Sequence, residues 1–275
     1  MNPETPAFRR YVAIGDSTTE GLEDPDGRGG YRGWANRLAE HLARAFGPIE
    51  YANLAVRGLK ARQIRLGQLD RALAMRPQLS TVVAGVNDLI QPRFVLEEVA
   101  NELNEMVRAL RGAGATVLTF TMPDLTRVLP LARIVRGRLL ELNARLRDTC
   151  ETTGAILLDL ERHEVAGDPR LWHEDRLHAN ALGHERIAQG LAHRLGLPGH
   201  DERWATPLEA RPERSLVEVA RAELDWARRY FLPWALRHAR GRSSSDGRPP
   251  KRPTPELFEG PLREELEIAA PPRLD

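Results

Sequence analysis

The stretch Tyr11-Val12-Ala13-Ile14-Gly15-Asp16-Ser17-Thr18-Thr19-Glu20-Gly21 decides how the rest of the chain is read. An apolar run stops at a glycine, an acid and a serine follow at once, and a second glycine closes the segment. Phe8 to Ile14 reads as a buried strand, and Ser17 stands just past its carboxyl end. In open α/β sheets that edge is where ligands bind. The remaining question is which other segments bring chemistry to the same edge.

Working outward, the apolar residues Trp34, Leu38, Leu42 and Phe46 recur every four positions, which predicts a helix over 31–46, ended by Gly47-Pro48. Ile49 to Val56 reads as a second strand that runs into a loop, Asn53 to Gly58. Leu59 to Met75 reads as helical, with an interruption at Gly67. Leu79 to Ala84 is a third strand, closed by Gly85-Val86-Asn87-Asp88. Phe94 to Leu110 is a helix ended by Gly112, and Ala115 to Thr121 is a fourth strand. A helix from Leu131 to Thr152, ended by Gly154, precedes a fifth strand from Ala155 to Leu160. Ala181 to Leu195 is the last helix of the series. Strands that alternate with helices in this way predict a parallel sheet covered on both faces, a three-layer αβα domain with right-handed crossovers.

Beyond Leu197 the pattern changes. Pro198 to Pro212 reads as a linker or wrapping loop. Ser215-Leu216-Val217-Glu218 fits a capping box, and Leu216, Ala220, Leu224, Ala227 and Phe231 follow along one helical face. Trp204, Trp226 and Trp234 predict that this extension docks on the main domain, with Pro233 breaking or kinking its helix. Arg240, Arg242, Ser243 to Ser245, Arg248, Pro249, Pro250, Lys251, Arg252 and Pro253 predict a flexible or surface-draped tail. The expected organisation is thus a main domain over 1–197, a docked loop and helix over 198–240, and a basic, Pro-rich tail over 241–275.

Composition narrows the functional classes. Of 275 residues, 41% are hydrophobic and 29% charged, as in a soluble globular chain, and the net charge of +1 provides no general attraction to nucleic acid or membrane. Only the tail is basic enough to offer an acidic partner a local contact. Cys150 is the single cysteine, which excludes an intrachain disulfide and reads as a small core or surface residue. Met1 to Arg10 lacks the apolar stretch of a secretory leader, and no run of about 18 apolar residues occurs. The expectation is a cytoplasmic protein without a membrane span.

A serine is a weak nucleophile alone. It requires a base, a group that orients the base, and donors for the developing oxyanion. Trp172-His173-Glu174-Asp175-Arg176-Leu177-His178 offers His178 as base and Asp175, three residues earlier, as its partner. In a turn that spacing lets the carboxylate reach Nδ1–H while Nε2 faces outward. His173 and His184 are rival bases. The oxyanion candidates are the backbone N–H of Ser17, that of Gly58 and the side-chain amide of Asn87. Asp16 and Asp88 read as supporting residues that organise their loops. No histidine lies at a zinc-like spacing from acids, so neither a metal nor another cofactor is expected.

Gly-Asp-Ser after strand one, a glycine after strand two, Gly-x-Asn-Asp after strand three and Asp-x-x-His after strand five occur in that order. With these blocks, Gly15 to Ser17, Asn53 to Gly58, Gly85 to Asp88 and Asp175 to His178, the chain resembles the SGNH hydrolases, also called GDSL esterases and lipases, over about its first 197 residues. The resemblance implies a flavodoxin-like sandwich around a five-stranded parallel sheet of order 2-1-3-4-5. It also implies Ser17 as nucleophile, His178 as base, Asp175 as its partner, and Ser17, Gly58 and Asn87 as oxyanion donors. Gly30-Tyr31-Arg32-Gly33-Trp34, with the Arg- and Pro-rich tail, is similar to intracellular actinobacterial members. Two positions depart from the family pattern: Thr18 replaces the leucine of the family name, and Ala55 replaces a glycine common in relatives.

Two other readings fail locally. A Gly-x-Ser-x-Gly nucleophile elbow has glycine where Thr19 stands, and a phosphate-binding loop has lysine where Leu22 follows Gly21. The expected activity is hydrolysis of small esters, with acyl transfer to another acceptor, thioester cleavage, or partner binding through the tail as alternatives. The loops 21–30, 91–94 and 122–130 should shape the substrate site. They carry no continuous apolar lid, which favours short acyl groups.

Overall fold

The computed structural model describes residues 8–210, 215–233, 236 and 244–259. Trp234, Arg240, Arg242 and Ser243, as well as the chain after 259, lie outside the described residues. The strands β1 (Arg10–Gly15), β2 (Ile49–Asn53), β3 (Leu79–Val83), β4 (Thr116–Phe120) and β5 (Ile156–Leu158) are parallel, in the order 5-4-3-1-2. This is the 2-1-3-4-5 order written from the other edge. The chain reverses direction across the sheet next to β1, so β1 stands at the switch point where crevices form in such sheets.

Alternation along β1 explains its central place. Tyr11 and Ala13 enter the apolar cluster on one face, while Val12 and Ile14 enter that on the other. The first cluster is covered by α2 (Gly33–Phe46) and α8 (Ala181–Arg194), with Trp34, Leu38 and Leu191 fully buried. The second is covered by α3 (Ala61–Ile64) and α4 (Asp70–Ala74), α6 (Leu96–Gly112) and α7 (Arg136–Thr153). Cys150 belongs to this second core, where burial pushes its thiol up to about 11 and leaves it inert. The expected interruption at Gly67 is a π-helical turn, Arg65–Leu69, inserted between α3 and α4. Among the described residues no helix is long and apolar enough to cross a membrane.

The sheet has six strands rather than five, and the sixth corrects the expectation of a flexible tail. Arg252–Phe258 forms β6, antiparallel to β2 at the edge, with Ile49 opposite Phe258 and Asn53 opposite Arg252. Proline lacks an N–H and is confined to edge strands, so Pro253 and Pro255 suit this place and none nearer the centre. A register shift between Tyr51 and Asn53 accompanies them. Phe258 packs edge-on against Tyr51, with centroids 5.6 Å apart. Lys251, just before β6, donates Nζ to the carbonyls of Tyr31 and Arg32 at 3.0 and 2.9 Å. Burial lowers its pKa to about 7.

The helical extension also departs from expectation. Its capping box forms, since Ser215 and Glu218 exchange hydrogen bonds at the start of α9 (Leu216–Trp226). Leu224, on the apolar face read from the sequence, is 51% exposed. The face that docks carries Glu223, Trp226 and Tyr230, the last of these in a π-turn, Ala227–Phe231, that continues α9. Polar and aromatic contacts to a loop, rather than an apolar stripe, set the orientation of this helix. Trp204, by contrast, is buried in the main core beside α8.

Candidate active site

Ser17 is the first residue of α1 (Ser17–Glu20), a single turn that begins where β1 ends. Asp16 caps it, with Oδ1 accepting from the N–H of Thr18 at 3.0 Å. The Ser17 N–H, at a helix start, has no carbonyl one turn behind it. A Cβ on Gly15 would fall 2.3 Å from Thr19 Oγ1 and 2.7 Å from the Val83 carbonyl, so only glycine lets the strand turn this sharply. The buried Gln68 clamps the same residue from below. Its Oε1 accepts from the Gly15 N–H at 2.8 Å, and its Nε2 donates to the Gly15 carbonyl at 2.9 Å. Gln68 lies within the π-turn, Arg65–Leu69, that interrupts the α3–α4 helix.

His178 comes from the loop between β5 and α8. The His173 N–H donates to the His178 carbonyl at 2.8 Å, and the Arg176 N–H donates back to the His173 carbonyl at 2.9 Å. Arg176 occupies the left-handed region at φ 62°, which reverses the chain in so few residues. Asp175 Oδ1 then accepts from the N–H groups of Leu177 and His178 at 2.9 and 3.1 Å. Its Oδ2 lies 2.7 Å from His178 Nδ1, and His178 Nε2 lies 3.0 Å from Ser17 Oγ. Burial would raise the Asp175 carboxyl. The hydrogen bond and charge of His178, with the two backbone donors, outweigh it and hold the group down at about 2. An ionised carboxylate can only accept, so Nδ1 carries the proton and Nε2 presents its lone pair to the serine.

The other expected residues converge on the same corner. The backbone past β2 stays beside β1, with Leu54 N–H on the Ala13 carbonyl at 2.9 Å and Val56 N–H on the Gly15 carbonyl at 3.3 Å. Arg57 then binds Glu20 of α1 through its N–H, at 2.8 Å, and its guanidinium. Gly58 follows at φ 78°, a conformation glycine takes without cost. Asn87 opens the turn after β3, in α5 (Val86–Leu89). Its amide donates to the Leu59 carbonyl at 3.0 Å and to Asp16 Oδ2 at 3.2 Å, which ties its block to that of Ser17 and to the residue just past Gly58, and engages both amide protons. Asp88 accepts from the Ala61 N–H at 3.0 Å and so caps α3, with burial raising its pKa. Burial likewise pushes Asp16 up to about 6, against the opposing hydrogen bond from Thr18 and the charge of His178.

The rival bases are engaged elsewhere. His184 is 1% exposed; Nδ1 accepts from the Trp34 N–H at 3.1 Å and Nε2 donates to the Leu22 carbonyl at 2.9 Å. Burial lowers it to about 4, so it is a neutral structural link between α8 and the loop after α1. His173 accepts at Nδ1 from the Asp175 N–H, 3.2 Å away, and its Nε2 lies 3.3 Å from Glu23. Trp226 is a docking residue in the sequence reading and does dock, on Asp175; Glu23, Gln68, Glu223 and Tyr230 escape that reading. The only sequence signal among these was the break at Gly67, next to Gln68. Glu23, Asp175 and His178 each offer one metal-type donor atom within 4.8 Å of the others, but Asp175 and His178 are already bound to each other.

Comparison with known proteins bears on the fold that carries this site. A GDSL-like lipase structure from Parabacteroides merdae superposes with a TM-score of 0.60 at 18% identity, covering 70% of this chain and 99% of that one. An acetylxylan esterase from Geobacillus stearothermophilus gives 0.58 at 17%, covering 71% and 97%. An α/β hydrolase enzyme from the metagenome of Lake Arreo, Spain, gives 0.57 at 22%, covering 68% and 94%. At such identities the likeness speaks for the fold. No curated protein sequence matches the chain. The profile of the GDSL-like lipase/acylhydrolase family matches residues 13–186, the segment that holds every block at the Ser17 corner and the whole Asp175–His178 loop, and the chain therefore belongs to that family of ester-hydrolysing enzymes.

Proposed function

We propose that the protein is a serine esterase acting on small esters with short or acetyl acyl groups, and that Ser17, His178 and Asp175 carry the reaction. The observation that supports this most directly is the unbroken line from Asp175 Oδ2 through His178 to Ser17 Oγ, at 2.7 and 3.0 Å. Nε2 removes the hydroxyl proton as Oγ attacks the ester carbonyl. Asp175 holds the ring in place and stabilises the imidazolium that forms. Negative charge then develops on the carbonyl oxygen, where the N–H groups of Ser17 and Gly58 and the Asn87 amide act as donors. Asn87 must turn one proton away to do so. The longer of its two bonds, to Asp16, is the one that yields. The imidazolium returns its proton to the leaving alcohol, and water releases the acyl group through the same steps.

The short-acyl reading rests on the loops around the serine, which lack a continuous apolar lid. The structural neighbour that is an acetylxylan esterase is compatible with it. Ser17 should label with a fluorophosphonate, and Ser17→Ala should abolish both labelling and ester hydrolysis. Labelling that survives in Ser17→Ala overturns the assignment. A chain-length series of p-nitrophenyl esters should peak at acetyl to butyryl, and a maximum at long chains overturns the short-acyl reading.

A further inference from the structure

The loop that supplies Asp175 and His178 is gripped by a helix more than forty positions further along the chain. Trp226 donates its indole N–H to the Asp175 carbonyl at 3.1 Å. Glu223 binds Arg176 Nη1 through both carboxylate oxygens at 2.8 Å, and the Arg176 guanidinium lies 4.9 Å from the centre of the Trp226 ring. Tyr230 meets the His173 ring edge-on at 6.1 Å and donates its hydroxyl to Glu174 at 3.2 Å. Three residues of one helical face thus hold four consecutive residues, His173 to Arg176. From the opposite side Glu23 approaches the His173 ring at 3.3 Å.

Resting on the proposed esterase mechanism, we propose that Trp226 and Glu223 are positioning residues for the reaction, and that the helical extension is a working part of the active site. The physical need is specific. The loop reverses on a left-handed arginine and is only partly buried, and its own hydrogen bonds close the turn without tying it to the sheet that carries Ser17. The indole N–H fixes the Asp175 carbonyl and Glu223 fixes the side chain of the next residue, Arg176, so the backbone that carries the Asp175 side chain is anchored directly after it. They thereby hold the carboxylate under Nδ1 and Nε2 at the serine. A displacement of about 1 Å in such a group typically costs about 100-fold in rate.

The test is steady-state kinetics on a p-nitrophenyl ester for the full chain, with fluorophosphonate labelling rates and melting temperatures. Trp226→Phe keeps the ring against Arg176 and removes only the donor. Glu223→Ala releases Arg176, while Glu223→Gln retains a hydrogen bond to it. Trp226→Phe and Glu223→Ala should lower kcat and the labelling rate about tenfold, with KM within about twofold and little change in melting temperature, and Glu223→Gln should recover most of the loss. Leu224→Ala, on the exposed face of the same helix, should match the wild type. Unchanged kcat in both variants, or losses that track melting temperature, overturns the positioning role. A wild-type protein that fails to label at Ser17 sinks the esterase reading itself, and this inference with it.

Discussion

The two halves of the site are built in opposite ways. The serine corner is held from within: Asp16, Thr19, Asn53 and Gln68 are all buried, and Gln68 and Asn53 bond directly to the backbone on either side of the serine. The base loop is held from outside. His173, Asp175, Arg176 and His178 are partly exposed, and side chains of the C-terminal helix fasten them. A nucleophile at a strand end inherits the rigidity of the sheet. A base on a connecting loop draws from the less stable part of the fold and needs a separate restraint.

The largest effect should come from the base loop. Asp175→Asn leaves the size of the side chain unchanged but favours the wrong imidazole tautomer, and kcat should fall about 10⁴-fold with the fold intact by circular dichroism. A loss below tenfold would mean that Asp175 is not the orienting group. On the serine side, Gln68→Leu strands the Gly15 N–H and leaves the Gly15 carbonyl only the 3.3 Å bond from Val56. Denaturant titration should show a loss of about 2–4 kcal/mol, with a fall in kcat that accompanies it. If stability is unchanged, the corner is rigid without its clamp and the comparison weakens.

A smaller effect concerns pH. Burial lowers both His184 and His41 to about 4. An unfolded chain protonates these rings near pH 6.5, so between there and pH 4 the unfolded state binds more protons than the folded one. Their contribution to stability is complete above pH 6.5 and declines as the pH falls. The melting temperature should therefore drop from pH 7.5 to 5, and His184→Gln, which can still accept and donate, should show a shallower drop. An equal slope in the variant would contradict this. The smallest effect is expected at Lys251, just before β6. Lys251→Met leaves the Tyr31 and Arg32 carbonyls without their Nζ donor and should cost about 1 kcal/mol in thermal or denaturant unfolding, with ester hydrolysis nearly unchanged.

Legibility in the sequence followed physical range. The alternation of strands and helices, the central place of β1 and the four blocks were readable because each is a local pattern of hydrophobic period and turn chemistry. Asp175 and His178 were readable because a spacing of three in a turn is itself a local geometry. Cys150, though a lone residue, could be read as core or surface only.

The rest depended on groups that meet across the chain. Gln68 reaches Gly15 from a π-turn, across 53 positions of sequence. Glu223, Trp226 and Tyr230 face the base loop, where they meet Arg176, Asp175 and Glu174. Arg252–Phe258 pairs as a strand despite two prolines, because the free edge of β2 accepts a partner whose missing donors can face solvent. The sequence by itself determined the layered sheet, the strand end that presents Ser17 and the pairing of Asp175 with His178 in its own turn. Only the tertiary structure decided what holds that pair against the serine, since a backbone carbonyl and an indole N–H have no sequence signature until folding brings them within 3.1 Å.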